Sequence, residues 1–99
     1  MEIIFTGQFL GRVEESIDYI AIDNVPAAIK WAQGVFEQCQ KLSEQPEAGR
    51  IVPEFRRPEI REIIHGNYRL VYELKTNQLD MLTIWHTRQM LSEDSDMIG

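Results

Sequence analysis

The sequence predicts an α+β domain in two layers, with the element order β-α-α-β-β-β and an antiparallel sheet packed on a helical hairpin. Two observations predict this class. Apolar residues recur every three or four positions in the first half of the 99-residue chain, and they alternate with polar residues in the second half. Both helical stripes need an apolar surface to cover, and one face of the sheet supplies it.

A short strand and a first helix are predicted at the N-terminus. The segment from Glu2 to Phe5 is apolar and β-branched, which favours a strand. Thr6 suits the N-cap of a helix. The apolar stripe of that helix consists of Phe9, Val13, Ile17 and Ile20. The pair Asp23-Asn24 interrupts the pattern and is predicted to end the helix.

A second helix is predicted from Pro26 to about Ser43, because proline suits a first turn and Pro46 lies just beyond the end. Its apolar stripe consists of Ala28, Ala32, Val35, Cys39 and Leu42, widened by Ile29 and Phe36. Cys39 is therefore predicted to be a buried, inert thiol. The short connection between the helices predicts an antiparallel hairpin.

A loop and three strands in consecutive hairpins are predicted in the second half. Residues 47–59 contain Gly49, Pro53 and Pro58, which exclude regular helix and central strand. The strands are predicted at Ile60 to Ile64, Tyr68 to Leu74 and Leu79 to Trp85, with turns at His65-Gly66-Asn67 and Thr76-Asn77-Gln78. His86 to Gln89 continues or ends the last strand. A single domain is predicted over residues 1–91, followed by a frayed acidic tail at 92–99.

The composition argues against several classes of function. The net charge is −6, whereas sequence-independent nucleic-acid binders are basic. The charge is uneven: the balance is −5 over residues 1–49, +2 over residues 50–88 and −3 over residues 89–99. No phosphate-binding glycine loop or paired metal-ligand spacing occurs, so no cofactor and no metal are predicted. A single cysteine and the lack of a long apolar run predict a cytoplasmic protein with no membrane partner.

Arginines on the predicted strands are the main candidate functional residues. Arg61, Arg69 and Arg88 fall on three consecutive predicted strands, and if those strands pair, their guanidinium groups could share one face or edge and bind phosphates or carboxylates. The alternative is that they form surface ion pairs with Glu62, Glu73 and other carboxylates, which contribute about 0–1 kcal/mol each.

A histidine and two tryptophans are further candidates. His86 lies two residues before Arg88 and could shuttle protons in phosphodiester cleavage. The alternative is a hydrogen-bonded structural histidine. Trp31 and Trp85 could stack on bases, and the alternative is a role in the core or at a partner interface.

Four segments occur here in a combination typical of one superfamily. They are Gly49 to Phe55 (GRIVPEF), Ile60 to Ile64 (IREII), Gly66 to Tyr72 (GNYRLVY) and His86 to Gln89 (HTRQ). With these segments the chain resembles the ParE/RelE superfamily, the toxins of bacterial type II toxin–antitoxin modules, over residues 2–90. The resemblance implies a strand, a helical hairpin and an antiparallel sheet, with the first strand beside the last.

The superfamily contains two functional classes. RelE-like members cut messenger RNA on the ribosome, and Arg69 and Arg88 match two of their basic positions. Only Arg61 is basic in the strand where that class has lysines, and the C-terminal tail contains no tyrosine. The Gly-Arg-x-Val-Pro-Glu loop and the Arg-Glu strand resemble the ParE branch, whose members inhibit DNA gyrase.

The resemblance therefore implies a toxin that is neutralised by a cognate antitoxin and acts on DNA gyrase by binding rather than as an enzyme. The expected partner-binding residues are Arg50, Arg61, Tyr68, Arg69, Trp85 and Arg88. One alternative is a ribosome-dependent mRNA endoribonuclease, for which the catalytic residues would be Arg61, Arg69, His86 and Arg88. Another alternative is a degenerate, non-toxic member that binds the antitoxin. The basic region 50–88 is expected to receive acidic residues of the antitoxin.

Overall fold

Two helices pack against one face of a five-stranded sheet in the computed structural model, which describes residues 1–87. The elements are β1 (Glu2–Phe5), α1 (Gly7–Asp23), α2 (Val25–Glu44), β2 (Arg50–Ile51), β3 (Ile60–His65), β4 (Tyr68–Leu74) and β5 (Gln78–His86). The predicted α+β class is confirmed. Arg88, the predicted boundary at residue 91 and the predicted tail at 92–99 lie outside the described residues.

Capping residues mark the start of α1 and the junction between the two helices. Thr6 caps α1, because its hydroxyl accepts a hydrogen bond from the backbone N–H of Phe9 at 3.1 Å. Asn24 alone connects the two helices. Its backbone N–H donates to the carbonyl of Ile20, and its side chain accepts from the N–H of Ala27 at 3.0 Å. One residue therefore ends α1 and begins α2, which gives the tight antiparallel hairpin that was predicted.

The sheet has the strand order β1-β5-β4-β3-β2. β1 pairs parallel to β5 and all other neighbours are antiparallel, so the first strand lies beside the last as the resemblance implied. The prediction of a loop over all of residues 47–59 is wrong in one respect. Arg50–Ile51 forms the edge strand β2, which pairs with β3. A two-residue strand is too short to show any periodicity in the sequence.

Each face of the sheet carries an apolar cluster. The larger cluster lies under the helices and includes Phe9, Val13, Val35, Leu42, Leu70, Tyr72, Leu79 and Met81. On the opposite face, Val52 and Phe55 pack against Ile60 and Val71. The segment between β2 and β3 therefore covers the second face of the sheet.

The predicted stripe of α2 is only partly buried. Ala28, Val35, Cys39 and Leu42 are buried as expected. Ile29 and Phe36 were predicted to widen the buried stripe, but they are 55% and 41% exposed. No helix within residues 1–87 is long and apolar enough to cross a bilayer.

Cys39 is expected to resist thiol reagents at pH 8 in the folded protein. The side chain is 1% exposed, and burial raises the pKa of its thiol to about 12, so the reactive thiolate is scarce. Titration with a chromogenic disulfide reagent should show one slow thiol under native conditions and one fast thiol in denaturant. A fast reaction with the native protein would contradict this burial.

Candidate functional site

The strand register places Arg61 and Arg69, for which a shared face or edge was one hypothesis, on opposite faces of the sheet. Residues directly opposite each other in an antiparallel pair project to the same side of the sheet. Arg61 lies opposite Tyr72, which belongs to the cluster under the helices, whereas Arg69 lies opposite Ile64. Because successive residues of a strand alternate between faces, Arg61 projects to the helix side and Arg69 to the other side. The shared face is therefore wrong for this pair, and Arg88 lies outside the described residues.

Arg69 lies in a buried ion-pair network on the face opposite the helices. Its Nε donates to Glu62 Oε1 at 2.6 Å, and its two terminal nitrogens donate to the two carboxylate oxygens of Glu54, each at 2.8 Å. The side chains of Arg69 and Glu62 are only 6% and 0% exposed. The hydrogen bonds with Glu54 and then those with Glu62 raise the pKa of Arg69, so the guanidinium is always charged.

Arg50 extends the network to the surface. Its Nε donates to Glu62 Oε2 at 2.6 Å, while the Arg50 side chain stays 63% exposed. The buried carboxylate of Glu62 therefore lies between two guanidinium groups. The sequence predicted pairing between strand arginines and Glu62, but as weak surface pairs, which is wrong for Arg69. Removing two charges from water is compensated here by several short, charge-assisted hydrogen bonds.

A turn in the segment after β2 brings Glu54 to Arg69. The backbone N–H of Phe55 donates to the carbonyl of Val52 at 3.2 Å, and both side chains are buried in the second cluster. Arg56 follows with a φ of 53°, a left-handed conformation that non-glycine residues rarely adopt. The two apolar anchors thus hold the carboxylate of Glu54 over the sheet.

Arg61 supports the backbone that leads into β2. Its Nη1 donates to the carbonyl of Gly49 at 3.0 Å. The hydroxyl of Tyr72 lies beside it, accepts from the N–H of Gly49 at 2.9 Å and donates to the carbonyl of Pro46 at 2.8 Å. Burial raises the pKa of Tyr72, so the phenol stays protonated and can make both bonds. These contacts are internal and fasten residues 46–49 to the sheet.

Aromatic residues cluster on the helix side at the ends of β4 and β5. The Tyr68 ring lies 5.0 Å from Trp31 and 5.6 Å from His86, measured between ring centroids. Burial raises the pKa of Tyr68. Trp85 projects to the other face, and the guanidinium carbon of Arg12 lies 5.8 Å from its ring centroid. Both tryptophans therefore contact protein side chains.

The register also separates the residues of the alternative catalytic set. His86 lies opposite Tyr68 on the helix side, whereas Arg69 lies opposite Trp85 on the other face. Arg61 contacts the backbone of residues 46–49 and Arg88 is outside the described residues. The described residues of the alternative catalytic set therefore do not surround a common site. Sequence reasoning missed Glu54, for which the only signal was a carboxylate in the recognised GRIVPEF run.

Comparison with known proteins agrees with this fold. A family model for the ParE toxin of the type II toxin-antitoxin system, parDE, matches residues 3–91. The chain is similar in fold to a solved structure described as the chromosomal ParDE TA system from P. aeruginosa. The TM-score is 0.73 and the identity 19%, over 87% of this chain and 95% of that chain. No curated protein matches the chain in sequence. Because the family match spans nearly the whole sequence, the chain belongs to the ParE toxin family of type II toxin–antitoxin systems.

Proposed function

We propose that this toxin inhibits DNA gyrase by binding to it and that a cognate antitoxin neutralises the toxin. The placement of Arg69 supports binding over RNA cleavage. A nuclease arginine must reach a phosphate and the charge that develops in the transition state. Arg69 is 6% exposed, and the Glu54 carboxylate already occupies the planar fork that a phosphate would need.

The ribonuclease alternative has less support. It needs Arg61, Arg69, His86 and Arg88 around one scissile phosphate. Arg61 and His86 project to the opposite side of the sheet from Arg69. Positioned groups catalyse only when they lie within hydrogen-bond reach of the reacting atoms. We therefore favour a binding mechanism, in the cytoplasm, where gyrase acts.

Some of the predicted partner contacts are kept as part of this proposal. Arg50 has a charged group that is exposed at the end of the network, and Trp85 is half-buried on the same face. Both stay accessible enough to contact a target. Arg61, Tyr68 and Arg69 are engaged in internal contacts and are proposed to act through the stability of the fold.

Inhibition of purified gyrase tests the proposal. Relaxed plasmid, gyrase and ATP are incubated with increasing amounts of the folded toxin, and supercoiled product is resolved on an agarose gel. The expected result is loss of supercoiling, and pre-incubation of the toxin with its antitoxin should restore it. Unchanged supercoiling at toxin concentrations far above those that arrest cells would overturn the proposed target.

Primer extension on cellular messages distinguishes the alternatives. In cells that express the toxin, messages are expected to stay intact while growth stops. New 5′ ends within translated regions would support the ribonuclease instead. Normal growth with abundant folded toxin would support the non-toxic member, which binds only the antitoxin.

A further inference from the structure

Arg56 differs from the other basic residues in the second half of the chain. Six basic residues lie between positions 50 and 87. Four of them form ion pairs with carboxylates of that region, and Arg61 donates to backbone carbonyls. The sixth is Arg56, whose exposed side chain makes no ion pair or hydrogen bond with any residue that the structure describes. Within residues 50–87, Arg56 is therefore the one unpaired basic group.

The backbone of Arg56 is unusual as well. Its φ of 53° is the only positive φ of a non-glycine residue within residues 1–87. In this left-handed region the Cβ of an ordinary residue crowds its own backbone, whereas glycine adopts the conformation freely and asparagine adopts it at a modest cost. Backbone strain at an exposed residue whose side chain has no internal partner supports a hypothesis of function.

The flanking residues explain why the change of chain direction falls on Arg56. Before it, Phe55 is 2% exposed in the second cluster, and its N–H donates to the Val52 carbonyl at 3.2 Å. After it, Pro58 disfavours helical backbone at Arg57. The turn therefore imposes the left-handed conformation on whichever residue occupies position 56. Glycine or asparagine would meet this demand with less strain, so the arginine side chain is not there to stabilise the turn.

The surroundings of Arg56 belong to the surface that is proposed to contact gyrase. Trp85 is half-buried and packs against the cluster that contains Phe55. Ile64 on the same face is 48% exposed, and Arg50 exposes its charged group there. Tryptophan and arginine are the residue types that contribute most strongly to protein–protein binding. Arg56 therefore extends this surface with a charge that no internal carboxylate neutralises.

We infer that Arg56 is a gyrase-contacting residue and that its guanidinium binds a carboxylate of the gyrase protein. The inference rests on the proposed inhibition of gyrase and deepens it by naming a contact residue and the chemistry of its counterpart. A guanidinium fork fits carboxylates and DNA phosphates alike. Binding to DNA requires several positive groups, whereas the toxin has a net charge of −6, and Arg56 is the one unpaired guanidinium among its described residues on this face. A protein carboxylate is therefore the counterpart.

Arg56→Asn separates binding from stability. Asparagine removes the charge and tolerates left-handed backbone, so the urea midpoint of the variant is expected to equal or exceed that of wild type. The toxin concentration that halves gyrase supercoiling is expected to rise about tenfold, as for loss of an interface hot spot. A merely structural residue would lose stability together with inhibition. Arg56→Gly, which adopts this backbone without steric cost, is a second variant with the same expectation.

Lys30→Gln is the matched control. Lys30 is exposed on α2, on the other side of the sheet, and its substitution removes the same positive charge. Salt screens one distant charge, so the half-inhibitory concentration should stay within about twofold of wild type. The inference is overturned if folded Arg56→Asn inhibits gyrase like wild type, or if Lys30→Gln is equally damaging.

Titration of intact gyrase without DNA identifies the counterpart. Calorimetry is expected to show that wild-type toxin binds and that Arg56→Asn binds about tenfold more weakly. A difference between the two toxins that appears only when DNA is present would point to a phosphate and overturn the carboxylate. Binding to the antitoxin should be the same for both toxins within about twofold, because the contact is assigned to gyrase. An equal loss of affinity for the antitoxin would overturn that assignment.

The proposed function and the role of Arg56 fail in different ways. Wild-type toxin that leaves supercoiling unchanged overturns gyrase as the target and the contact together. Wild-type toxin that inhibits gyrase, with a folded Arg56→Asn variant that inhibits equally well, overturns only the role of Arg56.

Discussion

Replacement of Arg69 by methionine is expected to lower the free energy of unfolding by about 3–5 kcal/mol, the usual cost of removing one partner of a buried ion pair. The Glu62 carboxylate is fully buried, and it would lose the guanidinium bond at 2.6 Å. The bidentate bonds to Glu54 would be lost as well. The total free energy of unfolding of a domain of this size is about 5–15 kcal/mol, so a large fraction of the variant is expected to be unfolded. Urea denaturation followed by circular dichroism measures the change.

Arg50→Met is the control for this experiment. Arg50 also bonds Glu62, but its side chain is 63% exposed and Arg69 remains in place to pair the buried carboxylate. Loss of the Arg50 guanidinium is expected to lower the free energy of unfolding by about 0–1 kcal/mol, as for other exposed ion pairs. Equal losses for the two variants would show that the buried position of Arg69 does not matter to stability.

Arg69→Lys separates a structural role from a catalytic one. Lysine keeps the charge but cannot reproduce the planar fork that bonds Glu54 and Glu62 together. If Arg69 stabilises the fold, toxicity should fall in proportion to the folded fraction, and the folded remainder should inhibit gyrase normally. Loss of toxicity in a fully folded variant would instead support a direct role at the target.

Gly49→Ala is expected to cost about 3 kcal/mol, the upper part of the range for overpacking. A Cβ at this position would lie 2.5 Å from the Tyr72 hydroxyl and 2.7 Å from the backbone oxygen of Glu62. Neither atom can give way, because Tyr72 is fully buried and Glu62 is held in the β2–β3 pairing. The change should appear as a lower midpoint of urea denaturation with an unchanged slope.

Gly34→Ala serves as the matched glycine variant. Its Cβ would meet only the His65 imidazole, at 2.5 Å, which is the movable end of a half-buried side chain. Rotation of the His65 side chain would relieve this overlap, but it would break the contact between His65 Nε2 and the Trp31 carbonyl oxygen, which are 3.2 Å apart. Alanine also favours helix over glycine by about 0.5–1 kcal/mol. A net change within about 1 kcal/mol is therefore expected, well below that of Gly49→Ala.

The Tyr72 hydroxyl is one of three atoms that a Cβ at Gly49 would crowd, beside the Glu62 carbonyl oxygen at 2.7 Å and Tyr72 Cε1 at 2.8 Å, and it can be removed. Tyr72→Phe alone leaves the buried N–H of Gly49 without its partner, at about 1–3 kcal/mol, and also removes the part-buried bond to the Pro46 carbonyl. In the double variant the alanine no longer meets the hydroxyl, so the total loss should be smaller than the sum of the two single losses. Strict additivity would contradict the close approach of these groups.

Elements defined by local signals were predicted well. The strand from Tyr68 to Leu74 was predicted with the observed bounds, because its alternation of side chains is visible in the sequence alone. The N-cap at Thr6 and the helix break at Asp23-Asn24 depend on hydrogen bonds between a side chain and the backbone three residues away. Such local bonds can be predicted from the residue types in the sequence. The edge strand β2 has no such local signal, because its pairing depends on the position of β3.

The family, the order of every element except β2 and the burial of residues such as Cys39 followed from the sequence, because motif, periodicity and capping act over a few neighbouring positions. The environment of Arg69 could be seen only in the folded structure. Its burial depends on strand register and on a turn that brings Glu54 from 15 residues away. Packing between elements likewise left Ile29 exposed, since helical periodicity shows which residues share a stripe and not how much of it a neighbour covers.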